Sequence, residues 1–176
     1  MKTLDRTVFR QNHLVGISDL NKDEINLILN IADDYSKRLK EHKFKCDVLK
    51  GALVLTLFFE DSTRTRVSFE MAAKRLGADV VNMDIRTSSL NKGETFMDTI
   101  ITLNAMHPDG IVMRHNEYNA PSYVANRVEC PVINAGDSYR EHPTQAILDA
   151  LTMRQHFGKL DGLSVSIVGE ISHSRV

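Results

Sequence analysis

The sequence predicts an α/β protein, a four-stranded parallel sheet flanked by helices on both faces, plus the beginning of a second α/β domain. Short runs with the composition of buried strands alternate with stretches of helical period, the pattern of parallel strands joined by right-handed crossovers. The seven-residue run Leu53 to Phe59 reads as a strand buried on both faces. Directly after it, Ser62-Thr63-Arg64-Thr65-Arg66 falls where that strand gives way to a helix carrying Phe69, Ala72, Ala73 and Leu76 on one stripe.

The elements follow in order. Leu20 to Leu39 is a helix, capped by Asn21 with Glu24 three residues on, and Leu20 is placed to pack against Ile25. Polar, basic residues from Glu41 to Gly51 form a loop before the first strand. Gly77 stops the helix after the Ser-Thr-Arg stretch, and Val80 to Met83 is a second strand. The polar loop Arg86 to Glu94 leads to a helix bearing Phe96, Ile100 and Leu103. Ile111 to Met113 is a third strand with Arg114 at its carboxyl end. Pro121 suits the first turn of a short helix, Ser122 to Arg127, and Pro131 to Asn134 is the fourth strand. Pro143 opens a long helix that Gly158 closes, and Leu163 to Val168 reads as a fifth strand. Residues 1–142 are expected to form one domain. Residues 143–176 supply a crossing helix and the first strand of a truncated second one.

Composition narrows the function. The 176 residues are 42% hydrophobic and 26% charged with a net charge of −1, so a real core is affordable and a basic nucleic-acid surface is not indicated. No apolar stretch has the length of a membrane span, and Met1 to Arg6 leads into no signal-peptide core. Cys46 and Cys130 lack metal-binding spacing and read as the reduced thiols of a cytoplasmic protein.

The chemistry concentrates at strand ends, where open parallel sheets bind ligands. Unpaired N–H groups of a helix start, three hydroxyls and two guanidiniums make an oxyanion cradle, most naturally for phosphate. An ordinary capped helix accounts for one hydroxyl and one arginine, not for five such residues in a row. Arg114, His142 and Gln145 follow other strand ends. Singly they read as a surface arginine, a helix cap and a solvated glutamine; together they suggest a carbonyl bound beside a phosphate. Ser88 and Lys92 lie on a polar loop with no evident core contact. Nothing in the set resembles a carboxylate pair, an activated serine or a metal cluster, so it points to transfer by positioning and electrostatics.

The motifs Phe59 to Arg66, Ser88 to Thr95, Val112 to His115, His142 to Gln145 and Val168-Gly169-Glu170 with Arg175 resemble those of the aspartate carbamoyltransferases. The resemblance covers essentially the whole chain. It implies transfer of a carbamoyl group from carbamoyl phosphate to L-aspartate in pyrimidine biosynthesis, without metal or organic cofactor. By matching position, Ser62, Thr63, Arg64 and Thr65 bind the phosphate; Arg114, Thr65 and His142 contact the carbonyl oxygen; and Gln145 contacts the amino group. Ser88 and Lys92 reach a neighbouring subunit's site in a homotrimer, and Arg175 binds a carboxylate of aspartate. A regulatory subunit is an allowed further partner. Glu170 stands where the family more often has Asp. The ornithine enzymes share the first motif but typically carry Cys at the position of Thr144 and lack the Lys92 to Thr95 form of the loop. The chain stops before the family's further aspartate-binding side chains and its C-terminal helix, so this chain alone is expected to be inactive. The rivals are an ornithine carbamoyltransferase and a non-catalytic phosphate-binding or assembly module.

Overall fold

The computed structural model describes residues 9–40, 44–84 and 93–174. Four parallel strands, β1 (Leu53–Phe58), β2 (Asp79–Asp84), β3 (Gly110–His115) and β4 (Val132–Asp137), lie in the order β2-β1-β3-β4. The two internal strands are β1 and β3, the ones with the most continuous apolar runs, as burial on both faces requires. Among the described residues five α-helices accompany them: α1 (Lys22–Lys40), α2 (Thr63–Arg75), α3 (Phe96–Asn104), α4 (Ala120–Ala125) and α5 (Pro143–Phe157).

Alternation along the strands divides the core in two. Leu55, Leu57, Ile111, Met113 and Val132 point to one face and pack with Ile100 of α3 and Val124 of α4. Val54, Phe58, Val112, Ile133 and Ala135 point to the other, where Phe69 of α2 meets them. Helices therefore cover both faces, as expected. Among them α5 packs on β4 and on α1, where Arg154 Nη1 donates to Asn30 Oδ1 at 2.9 Å and Gln155 Nε2 to Asp33 Oδ1 at 2.8 Å. No helix among the described residues is long and apolar enough to cross a membrane. Cys46 and Cys130 are free thiols.

Four expectations need adjustment. Arg114 lies within β3, paired with Phe58 of β1, and not beyond the strand's end. The fourth strand runs three residues further than read, through the turn-like Ala135-Gly136-Asp137. Asp137 N–H donates to the Glu141 carbonyl at 2.8 Å, and Asn134 Oδ1 accepts from Gly136 N–H at 2.8 Å. The short helix begins at Ala120, with Pro121 in its first turn, two residues before the expected start. The predicted strand at Leu163–Val168 is not a strand: residues 163–168 have no regular structure, and Val165, Ile167 and Val168 are exposed. Its apolar composition is that of a strand, but a strand also needs a neighbouring backbone, and none among the described residues pairs with this segment.

The sequence also understated the segment before α1. Leu14 bridges to Ile133, donating to the Val132 carbonyl at 2.8 Å and accepting from Asn134 N–H at 2.9 Å. Asn134, fully buried, adds a side-chain bond from Nδ2 to the Val15 carbonyl at 2.9 Å.

Candidate functional site

The carboxyl ends of β1, β3 and β4 and the starts of α2 and α5 meet on one side of the sheet. β1 delivers Phe59-Glu60-Asp61 to the beginning of α2, and the ladder continues one step past the strand, Phe59 N–H donating to the Arg114 carbonyl at 2.9 Å. Ser62 is the N-cap of α2, but its side chain makes no capping bond. The first-turn N–H groups are thus left pointing out of the helix, at the positive end of its dipole. Thr63 and Arg64 are exposed and Thr65 is half-buried. This is the strand-to-helix turn at which the sequence predicts an anion cradle.

α5 starts the same way. His142 is its N-cap, again without a side-chain capping bond, and Pro143 occupies the first turn. The Thr144 hydroxyl lies 3.3 Å from His142 Nδ1. If Thr144 donates there, the imidazole carries its proton on Nε2, the tautomer needed to donate to a ligand oxygen. Gln145 is three residues on. Thr65, Ser68, Phe69 and Ala72 of α2 face His142, Thr144, Gln145 and Leu148 across a cleft of about 230 Å³. Of the predicted residues, Thr65, His142 and Gln145 therefore line one space, although up to 80 positions separate them (145 − 65).

Arg114 arrives from β3. Its side chain is only 12% exposed: Nε donates to Glu60 Oε2 at 3.2 Å and Nη1 to the Ala135 carbonyl at 3.3 Å. Beneath it runs Gly136 at φ +134°, where a Cβ would come within 2.9 Å of Nη1. Glycine is required there both by the backbone and by the guanidinium lying on it. These two bonds use two of the guanidinium's five N–H donors. The neighbouring His115 is buried, packed against Phe59 and Phe96 with ring centroids 4.4 and 5.0 Å away, and its Nδ1 accepts from Glu117 N–H. Burial holds this imidazole below its ordinary pKa, against the pull of the Glu117, Asp137 and Glu60 carboxylates.

The loop from β4 to α5 is tied from below. Asp137, fully buried, accepts from Asn119 N–H at 2.8 Å and from Arg140 Nη1 at 3.2 Å. Glu141, next to His142, accepts from Ile17 N–H at 2.9 Å. Ser88, Lys92 and Arg175 lie outside the described residues.

Glu60, Gly136 and Thr144 were not singled out as site residues from the sequence. Glu60 lies two residues past β1 and carries no signal of its own, because Arg114, which it meets, comes from β3. Gly136 carries none short of knowing that Arg114 lies over it.

A family model described as aspartate/ornithine carbamoyltransferase, carbamoyl-P binding domain, matches residues 12–155. The aspartate carbamoyltransferase catalytic subunit of Granulibacter bethesdensis is 54% identical over 168 residues, which cover 96% of this chain and 53% of that protein. The corresponding subunit of Rhodospirillum centenum is 53% identical over 176 residues, 100% of this chain and 55% of the relative. The crystal structure of the Trypanosoma cruzi aspartate transcarbamoylase in complex with carbamoyl phosphate and aspartate matches with a TM-score of 0.88 at 35% identity. That match covers 95% of this chain and 51% of the other. The chain thus spans about half the length of the curated relatives it matches.

Proposed function

The chain belongs to the aspartate/ornithine carbamoyltransferase family, and we propose that it is the carbamoyl-phosphate-binding portion of an aspartate carbamoyltransferase. The reaction joins the carbamoyl group of carbamoyl phosphate to the amino group of L-aspartate, giving N-carbamoyl-L-aspartate and phosphate in pyrimidine biosynthesis. The observation that carries this reading is the cleft in which the uncapped starts of α2 and α5 face one another, Thr65 on one wall and His142 and Gln145 on the other.

In this reading Ser62, Thr63, Arg64 and Thr65 hold the phosphate at the start of α2, where N–H groups and a guanidinium add to the dipole. Thr65 and His142 of the cleft, together with Arg114 of β3, surround the carbonyl oxygen, and Gln145 takes the amino group. The amine of aspartate attacks the carbonyl carbon, and negative charge collects on its oxygen. Donors already in place stabilise that charge without reorganising. The C–O bond to phosphate then breaks, and the leaving dianion stays within the same positive cradle. Arg175 receives a carboxylate of aspartate, and residues 143–176 open the domain that completes the aspartate site. Ser88 and Lys92 are donated to the neighbouring subunit of a homotrimer, a regulatory subunit is compatible with that assembly, and the enzyme works in the cytoplasm. The close relatives are aspartate enzymes, and Thr144 stands where ornithine enzymes typically have Cys. Parallel assays of the complete enzyme with aspartate and with ornithine separate the two acceptors.

The shared site has a direct test. Arg64→Ala and Lys92→Ala variants of the complete enzyme are each expected to be nearly inactive. Mixed, dissociated and reassembled, they should form intact sites in about a quarter of positions by random assortment around a cyclic trimer. Return of activity supports donation of Lys92 in trans. Activity fixed at the level of the single variants refutes it.

A further inference from the structure

We propose that Asp149 is a positioning residue that determines specificity by fixing which end of the Gln145 amide faces the substrate; the inference rests on the carbamoyl-phosphate reading. Gln145 lines the cleft between α2 and α5, and Asp149 lies one helical turn beyond it, outside the lining. Gln145 Nε2 donates to Asp149 Oδ1 at 3.0 Å. An ionised carboxylate only accepts, so the amide nitrogen must face Asp149, and Oε1 becomes the end turned away from it. A glutamine without such a partner turns either end to a ligand. Paired with Asp149 it offers an acceptor, which welcomes the N–H of a carbamoyl group. It gains nothing from a methyl group and repels an ester or carboxylate oxygen. The carboxylate never touches the ligand, yet it decides that the site reads a donor.

A bland role is also available to Asp149, since a hydrogen bond between side chains four residues apart stabilises a helix by itself. That role changes stability and leaves ligand discrimination alone, so the test measures discrimination. Two stable phosphonates serve as probes: phosphonoacetamide, which carries a primary amide, and acetonylphosphonate, which has a methyl group in place of the amide nitrogen. Calorimetry or ligand-observed NMR on the 176-residue chain gives the affinity ratio of the two. The unaltered chain is expected to prefer the amide. Asp149→Asn, whose own amide can turn and donate to Gln145 Oε1, should shrink that preference by about fivefold or more. Affinity for inorganic phosphate should stay as it was. Asp149→Glu keeps an acceptor-only group and should keep most of the preference. Gln145→Ala should lose the preference too, and adding Asp149→Asn to it should cost nothing further, the signature of two residues acting through one contact. A preference undiminished in Asp149→Asn, or losses that simply add in the double variant, overturns the role of Asp149 and leaves the function standing. An unaltered chain that binds phosphate but does not distinguish the two phosphonates overturns the carbamoyl reading and this inference together.

Discussion

The first turn of α1 is closed by its own side chains, whereas the first turn of α2 is left open. In α1, Asn21 Oδ1 accepts from the N–H groups of Asp23 and Glu24, both at 2.9 Å, and Glu24 reaches back to accept from Asn21 N–H at 2.7 Å. That is a complete capping box. Glu24 is fully buried and also accepts from Arg10 N–H at 2.9 Å. At α2, Ser62 could cap in the same way and does not, and the following residues add arginines where α1 has acids. The contrast separates a helix start satisfied by its own side chains from one that they leave open. α3 sides with α1, since Thr95 accepts from Asp98 N–H at 3.1 Å, and α5 sides with α2. The start of α4 also lacks a side-chain cap, and the open starts of α2 and α5 are the ones that border the cleft.

The comparison can be broken deliberately. Ser62→Asp places a fixed anion over the open start of α2. It should raise the melting temperature, because a carboxylate there caps the helix and meets the dipole. It should also weaken inorganic phosphate binding by more than about tenfold, since two like charges then compete for one site. A variant that is stabilised yet binds phosphate normally removes α2 from the anion site. At α1 the effect belongs to stability alone. Asn21→Ala should cost about 1 kcal/mol in chemical denaturation and leave phosphate affinity unchanged. A loss of affinity there erases the distinction between the two starts.

The smallest effect concerns Glu24 and appears with pH. Backbone N–H groups of Arg10 and Asn21 hold its carboxyl below the ordinary range, against the opposing effect of burial. A depressed folded pKa means that the stabilisation is complete above the unfolded value and is lost as pH falls through the folded one. Melting temperature should therefore decline on acidification below the ordinary carboxylate range, and Glu24→Gln should be slightly less stable than the unaltered chain at neutral pH and lose less on acidification. An unaltered slope in the variant assigns the acid sensitivity elsewhere.

How far the sequence reached follows the same division between local and distant causes. Asn21 with Glu24, Pro143, Gly77 and Gly158 act within a few residues of themselves, and the elements they bound came out nearly as read. Thr65, His142 and Gln145 were legible as a group because parallel strands bring their carboxyl ends together whatever the loops between them do. What escaped depends on partners far along the chain. Residues 163–168 have the composition of a strand without a neighbour to pair with. Ala135-Gly136-Asp137 looks like a turn, yet Asn134, Glu141 and the overlying Arg114 keep it in β4. Glu60 has meaning only once Arg114 is seen beside it, on a different strand.

Leu14 carries a consequence for solubility. An outer strand presents a row of unpaired N–H and C=O groups that another chain can extend, the usual beginning of edge-to-edge aggregation. On β4, Val132 and Asn134 have those groups occupied by Leu14, and the Asn134 side chain fastens the adjoining Val15. The residues ahead of α1 thus act as a short guard along the sheet's border. Proteolytic trimming or a tag that pulls Leu14 away would leave the cleft residues in place and yet bare a template for fibrous self-association.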